Sequence, residues 1–321
     1  MPSPATPNHY PLELPHPDIS AHQTGNTGIP YAHTFTATEP GPHVMISAVV
    51  HGNELCGAIV LDWLLNARVR PARGKLSLCF MNVDAYNSYD PAEPNRSRFV
   101  DEDFNRLWSD AVLDSDRRSV ELVRARQVRP LIDQIDLLLD IHSMQHPAIP
   151  LMMAGPRPKG RELARQVGTP ATIVTDAGHA AGRRLRDYAD FINDNSPRNA
   201  LLVECGQHWA ASSGTLAHDC AIRFLRATAC IDNGFATELA RSALPPTEPW
   251  EVTTVVTIKT DSFEFAADFS GGEVIPKAGT VLGHDGDQTI VTPHDDCMLV
   301  MPSRRLFKGQ TAVRLARRVP A

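Results

Sequence analysis

From residue 44 to residue 204, short apolar runs alternate with segments of helical periodicity. The run 44–50 (VMISAVV) is bounded and rich in Val and Ile, the pattern of a strand buried on both faces of a parallel sheet. Further strands are predicted at 76–81 (LSLCFM), 136–141, 151–154, 172–175 and 200–204, and helices at 57–67, 118–132 and 160–167. This alternation predicts an α/β fold, a mostly parallel mixed sheet flanked by helices. The first forty residues, with many prolines, predict extended segments and turns that end at Glu39-Pro40-Gly41-Pro42. The pattern changes after Arg241. A proline-rich linker (ALPPTEP, 243–249) precedes short β-branched runs at 252–258, 289–292, 298–301 and 312–315, punctuated by Gly and Asp. These predict a small C-terminal all-β domain, so the expected plan is an α/β domain over 1–242 and a β domain over 250–321.

Composition narrows the function classes. The chain has 321 residues, 42% of them hydrophobic, enough for one large core and a smaller one. A net charge of -6 leaves no footprint for nucleic acid or an anionic membrane. Basic residues cluster at 183–186 (RRLR) and 314–318 (RLARR), and both clusters are expected to be solvated surface. The N-terminus has no apolar leader pattern, and no run approaches the roughly 20 apolar residues that span a bilayer. Six scattered cysteines, without a C-x-x-C pair, read as reduced core residues, which makes a cytoplasmic protein the expectation.

The chemistry begins at His51-Gly52-Asn53-Glu54, directly after the first buried run. A His and a Glu three positions apart at a strand-to-turn junction can converge on one metal ion. Hydrolytic zinc takes three protein ligands of the His/Glu/Asp type and keeps one position for water. His142, at the end of the run Leu137-Leu138-Leu139-Asp140-Ile141-His142, is the third candidate ligand, and Asp140 is a candidate to fix its tautomer. Glu204, ending the run 200–204, reads either as the general base for a metal-activated water or as half of a structural ion pair. The block 98–108 (RFVDEDFNRLW) offers Arg98, Asn105 and Arg106 as carboxylate anchors, held by Asp101 and Asp103; a salt-bridged surface loop is the equal alternative. His208 and Trp209 follow the Glu204 strand, with pocket lining or plain packing as their alternatives, while His294 reads as a surface residue.

Four blocks in order (HGNE, RFVDEDFNRLW, DIHS and VECG, spanning His51 to Gly206) make the chain resemble the succinylglutamate desuccinylase/aspartoacylase family, a branch of the zinc carboxypeptidase-like fold. The resemblance implies His51, Glu54 and His142 as ligands of one Zn2+, Glu204 as the catalytic carboxylate, and Arg98, Asn105 and Arg106 as substrate anchors. It implies hydrolysis of a small N-acylated substrate, with no nucleic acid or membrane partner; a homo-oligomer is compatible with it. The C-terminal β domain is expected to restrict access to the active site. A zinc carboxypeptidase acting on short peptides and a catalytically silent binding protein are the alternative readings. Aspartoacylase carries a Tyr, and four residues on an Arg, before its catalytic Glu. Here Tyr188 stands for the Tyr, Ile192 occupies the Arg position, and no Tyr follows Tyr188 to match one from the C-terminal domain. Arg186 and Arg198 are candidate substitutes whose spacing does not match, and these departures argue against N-acetylaspartate as substrate.

Overall fold

The computed structural model describes residues 10–178, 181–236, 238 and 244–320. Its strands in chain order are β1 (Ala32–Thr36), β2 (His43–Ala48), β3 (Lys75–Phe80), β4 (Leu137–Met144), β5 (Leu151–Met153), β6 (Thr172–Thr175), β7 (Asn199–Gln207), β8 (Glu248–Thr257), β9 (Phe263–Phe265), β10 (Val274–Ile275), β11 (Val281–Asp285), β12 (Gln288–Val291), β13 (Cys297–Val300) and β14 (Thr311–Arg318). The main helices are α1 (Leu55–Asn66), α2 (Val83–Asn87), α3 (Asp110–Leu113), α4 (Val120–Ile132), α5 (Pro158–Val167) and α6 (Ala211–Ala227).

Strands β3, β2, β4 and β7 lie side by side and parallel, as their unbroken apolar runs require. Period-two alternation divides each strand between two cores. Val44, Ile46, Leu139, Ile141, Leu201 and Val203 pack on the face covered by α1, α5 and α6. Met45, Leu138 and Ala200 meet α4 on the other face, through Leu122, Ala125 and Val128. Burying such faces is the main stabilising term, at roughly 25 cal/mol per Å² of apolar surface.

Two boundaries differ from expectation in a way that matters for the site. Strands β4 and β7 run on past His142 and Glu204, because each supplies the other's backbone partners; His142 pairs in register with Glu204. Both residues therefore sit side by side in a paired ladder near the C-terminal ends of their strands, with a register shift in the ladder directly after His142. By contrast, β2 stops at Ala48, and Val49 takes φ +62, a strained conformation for a β-branched residue.

The C-terminal strands do not form a detached sheet. β8 pairs in parallel with β6, and β14, β13 and β10 extend the same eleven-stranded sheet, while β12, β11 and β9 form a separate three-stranded one. The expected linker is shorter than its prolines suggest. Glu248 and Pro249 already belong to β8, and Pro is tolerated there at the start of a strand; residues 239–243 lie outside the described ones. A core of Trp250, Met298 and Val300 against Leu151, Val174 and Leu202 cements this junction. No described helix is long and apolar enough to cross a membrane.

Candidate active site

The turn after β2 delivers two side chains to one point. Gly52 is needed because a Cβ would come within 2.3 Å of the Ala85 backbone and 2.4 Å of the Ser97 carbonyl. Glu54 then sits at the N-terminal boundary of α1, where the helix dipole favours its negative charge. Its two carboxylate oxygens face the two imidazoles: His51 Nδ1 lies 2.7 Å from Oε1, and His142 Nδ1 lies 3.0 Å from Oε2. The three ligand atoms lie within 4.8 Å of one another, all buried. This His-Glu-His donor set fits a divalent cation, zinc included.

Surrounding carboxylates hold the imidazoles in place. His142 Nε2 contacts Asp140 at 2.8 Å, and Ser47 donates to the other Asp140 oxygen at 2.6 Å. His51 Nε2 contacts Asp103 at 3.0 Å, leaving Nδ1 toward Glu54. Burial alone would raise the Glu54 carboxyl, but His51 and His142 outweigh it and hold it well below the ordinary range. For His142 burial works downward, and Asp140 and Glu54 reverse it to well above the usual imidazole value.

The 98–108 block is an ordered loop, and its organiser is a residue that the sequence did not single out. Glu121 on α4, fully buried, accepts from the backbone N–H groups of Val100, Asp101 and Glu102 at 2.6–3.2 Å. Asp103 pairs with Arg98 at 3.3 Å and Arg106 at 3.8 Å, as expected. Asp101 does not: it accepts from the Val120 N–H and so caps α4. Arg106 is pushed down to about 10 by burial, despite Asp103, with Arg98, Arg184 and Arg314 adding to the repulsion.

His51, Glu54, His142, Arg98, Asn105, Arg106 and Glu204 all line one cavity of about 410 Å³. Glu204 Oε2 is buried there without a hydrogen-bond partner among the described residues, and burial lifts its carboxyl to about 8. No arginine reaches it within salt-bridge distance among the described residues, which removes the ion-pair alternative for this carboxyl.

The basic clusters are the largest correction. Arg184, Arg186 and Arg314 are only 5%, 1% and 6% exposed, so neither cluster is simply solvated surface. Arg184 donates to Asp176 at 2.6 Å and Asp187 at 2.7 Å, and Arg314 from β14 lies 3.4 Å from the other Asp176 oxygen. Burial would raise Asp176, yet these arginines hold it below its usual value. Arg184 and Arg314 both line the cavity, one from each side of the β6–β8 junction. The two candidate substitutes, Arg186 and Arg198, do not. Arg186 donates to the Ala154 and Ala200 carbonyls, and Arg198 to those of Ile135 and Ile132.

Tyr188 and His208 are likewise not among the lining residues. The Tyr188 hydroxyl is held between Arg129 and Asp133, each at 2.9 Å, and its ring packs edge-on against Trp108. His208 is buried behind Ser143, and Trp209 is a core residue whose Nε1 donates to the Asn53 carbonyl. His294 is half-exposed beside Thr253, near the surface as expected.

A strand-edge His-Glu-His group sharing a cavity with buried arginines defines a class: a hydrolase-like α/β site able to hold a metal ion beside an arginine-lined wall. A model of the Succinylglutamate desuccinylase/Aspartoacylase catalytic domain matches residues 40–221. The chain belongs to that family, one of N-acyl amino acid deacylases. It is 24% identical over 315 residues to a succinylglutamate desuccinylase of Vibrio cholerae, covering 92% of this chain and 85% of that protein. Two solved structures share the fold. A succinylglutamate desuccinylase from Vibrio parahaemolyticus has TM-score 0.66 at 19% identity, covering 89% of this chain and 84% of that one. A succinylglutamate desuccinylase/aspartoacylase from Rhodobacter sphaeroides has TM-score 0.64 at 17% identity, covering 91% and 90%.

Proposed function

We propose that the chain is a zinc-dependent amidohydrolase that cleaves a small N-acyl amino acid, or a related carboxylated amide. One observation carries the reading: the His51–Glu54–His142 group shares a cavity with a buried carboxyl at Glu204 and with six arginines, Arg98, Arg106, Arg184, Arg304, Arg305 and Arg314. His51, Glu54 and His142 would hold the ion, which when bound supplies Lewis acidity toward water and the amide carbonyl.

The remaining steps belong to the chain's own side chains. Arg98 and Arg106 present forked donors to a substrate carboxylate, with Asp103 fixing their orientation. Asn105 accepts from the Leu185 N–H at 2.9 Å through Oδ1, so its amide N–H groups remain for substrate. Glu204, desolvated and near neutral in proton affinity, takes a proton from water as oxygen adds to the amide carbon. It then returns a proton to the departing nitrogen as the C–N bond breaks, which releases a carboxylic acid and an amino acid. In this reading Arg106, which lines the same cavity, steadies the oxyanion of the tetrahedral adduct with its charge.

The β strands 248–318 wall the cavity through Thr311 and Arg314, which favours a small substrate over a peptide. The decisive measurement is release of free amine from a panel of N-acetyl, N-succinyl and N-aroyl amino acids by protein purified without chelator, with metal content measured on the same sample. Cleavage that is lost on chelation and restored by zinc supports the reading. A protein without metal that cleaves none of the panel overturns it.

A further inference from the structure

Ser143 and His208 form a pair that the reaction above does not use. Ser143 Oγ lies 2.8 Å from His208 Nδ1, and both residues are buried. Each is anchored independently through its backbone. The Ser143 N–H donates to Glu54 Oε2 at 3.2 Å, and the His208 N–H donates to the Met144 carbonyl at 2.8 Å. Ser143 lines the cavity, whereas His208 stands behind it.

The direction of the hydrogen bond decides what Ser143 can do. Burial depresses His208 to about 3, so the ring is neutral and carries one N–H. Its Nε2 is buried and has no partner among the described residues. If the proton sat on Nε2, a buried N–H would be orphaned, which is the rarer kind of unsatisfied group. If it sits on Nδ1, it donates to Ser143 Oγ, and only a lone pair on Nε2 goes unmatched. The Ser143 hydroxyl proton is then free, on a residue that lines the cavity and whose backbone N–H meets Glu54.

We propose that Ser143, oriented by His208, donates a hydrogen bond to a carbonyl or carboxylate oxygen of the substrate beside the His51–Glu54–His142 group. His208 is a positioning residue, and Ser143 touches the substrate. The donor role rests on the amide-hydrolase reading; the orientation of the hydroxyl does not, so the two are tested separately.

Orientation is read by 15N NMR of the ring nitrogens, with the His208 signals assigned as those missing from His208→Asn. The expected result is protonated Nδ1 and bare Nε2. A ring protonated on Nε2 would mean that the Ser143 proton is spent on His208, and the proposal fails whatever the enzyme cleaves.

Donation is read on any panel substrate that the wild type hydrolyses. Ser143→Ala should lower kcat/KM roughly tenfold to a hundredfold with metal content and Tm retained. Ser143→Thr, which keeps the hydroxyl, should recover most of that loss. His208→Asn, which keeps a donor near the Nδ1 position, should stay close to wild type. His208→Leu should match Ser143→Ala, and the double variant should be no worse than either. Activity of Ser143→Ala within twofold of wild type, or fully additive losses in the double variant, overturns the proposal. A wild type that cleaves nothing in the panel defeats the hydrolase reading and with it the donor role, and leaves the NMR result to decide orientation alone.

Discussion

The two ends of the cavity are built in opposite ways. The His51–Glu54–His142 end rests on one four-residue turn and one neighbouring strand, and Asp140 and Asp103 orient the imidazoles. The Arg184–Asp176–Arg314 end joins a loop, the residue after β6 and a strand more than a hundred positions later. The first end draws on strand-end geometry that local sequence encodes. The second exists only because the C-terminal strands continue the catalytic sheet. In this protein the His-Glu-His group is a locally built device and the Arg184–Asp176–Arg314 wall is a property of the assembled fold.

The comparison can be broken most severely at the first end. Glu54→Ala removes the carboxylate shared by both imidazoles, and bound zinc should be lost together with activity, a fall of about three orders of magnitude or more. Metal analysis alongside turnover checks this; full zinc content in the variant would show that the two histidines suffice. Glu204→Gln should behave differently, keeping the metal while kcat drops by about two to four orders of magnitude. Near-normal turnover there removes Glu204 from the proton transfers.

Legibility follows the same divide. The HGNE turn and the 137–142 run were readable because buried parallel strands are continuous apolar runs and their C-terminal ends collect site residues. The strand at 172–175 and the helix expected at 160–167, which starts two residues earlier at Pro158, followed from the local pattern in the same way. The lengths of β4 and β7 were not readable, since they extend through pairing with each other and, for β7, with β5. The clusters 183–186 and 314–318 were misread as surface for a related reason. An arginine cluster looks solvated until a buried acid such as Asp176 is brought beside it, and that acid lies far away in sequence. Glu121 was silent as well, because a helix-face glutamate gives no local sign that it receives three loop N–H groups.

Arg314→Met sharpens the second end. It should lower kcat/KM for substrates with a carboxylate by about tenfold to a hundredfold, with zinc content unchanged. Arg198→Met is the matched control, since its guanidinium meets the Ile132 and Ile135 carbonyls and the Phe191 ring rather than the cavity, and it should leave the substrate profile intact. Equal effects of the two substitutions would show that Arg314 acts through stability alone.

Asp176 gives that end a pH signature. Its folded-state pKa is depressed, so its contribution to stability is complete above the unfolded value of about 3.9 and is lost as pH falls through the lower folded value. Thermal denaturation should therefore show wild type losing stability below about pH 4. Asp176→Asn should be less stable near neutrality, by about 3 kcal/mol, and should show a flatter acid limb. An acid limb identical in slope in both proteins would take Asp176 out of the linkage.

The smallest expected effect tests a residue that resemblance places in the site and structure places elsewhere. Tyr188 donates to Asp133 and accepts from Arg129 on the α4 side, away from the cavity. Tyr188→Phe removes one partly buried hydroxyl and no lining atom. It should cost about 1 kcal/mol, a Tm decrease of about 2–4 °C, and leave kcat and KM within twofold. A tenfold rise in KM with Tm unchanged would mean that the hydroxyl turns toward substrate. Recognition would then depend on a Tyr close in sequence to the catalytic strand, and the distinction between a local metal end and an assembled anion end would fail where it is now sharpest.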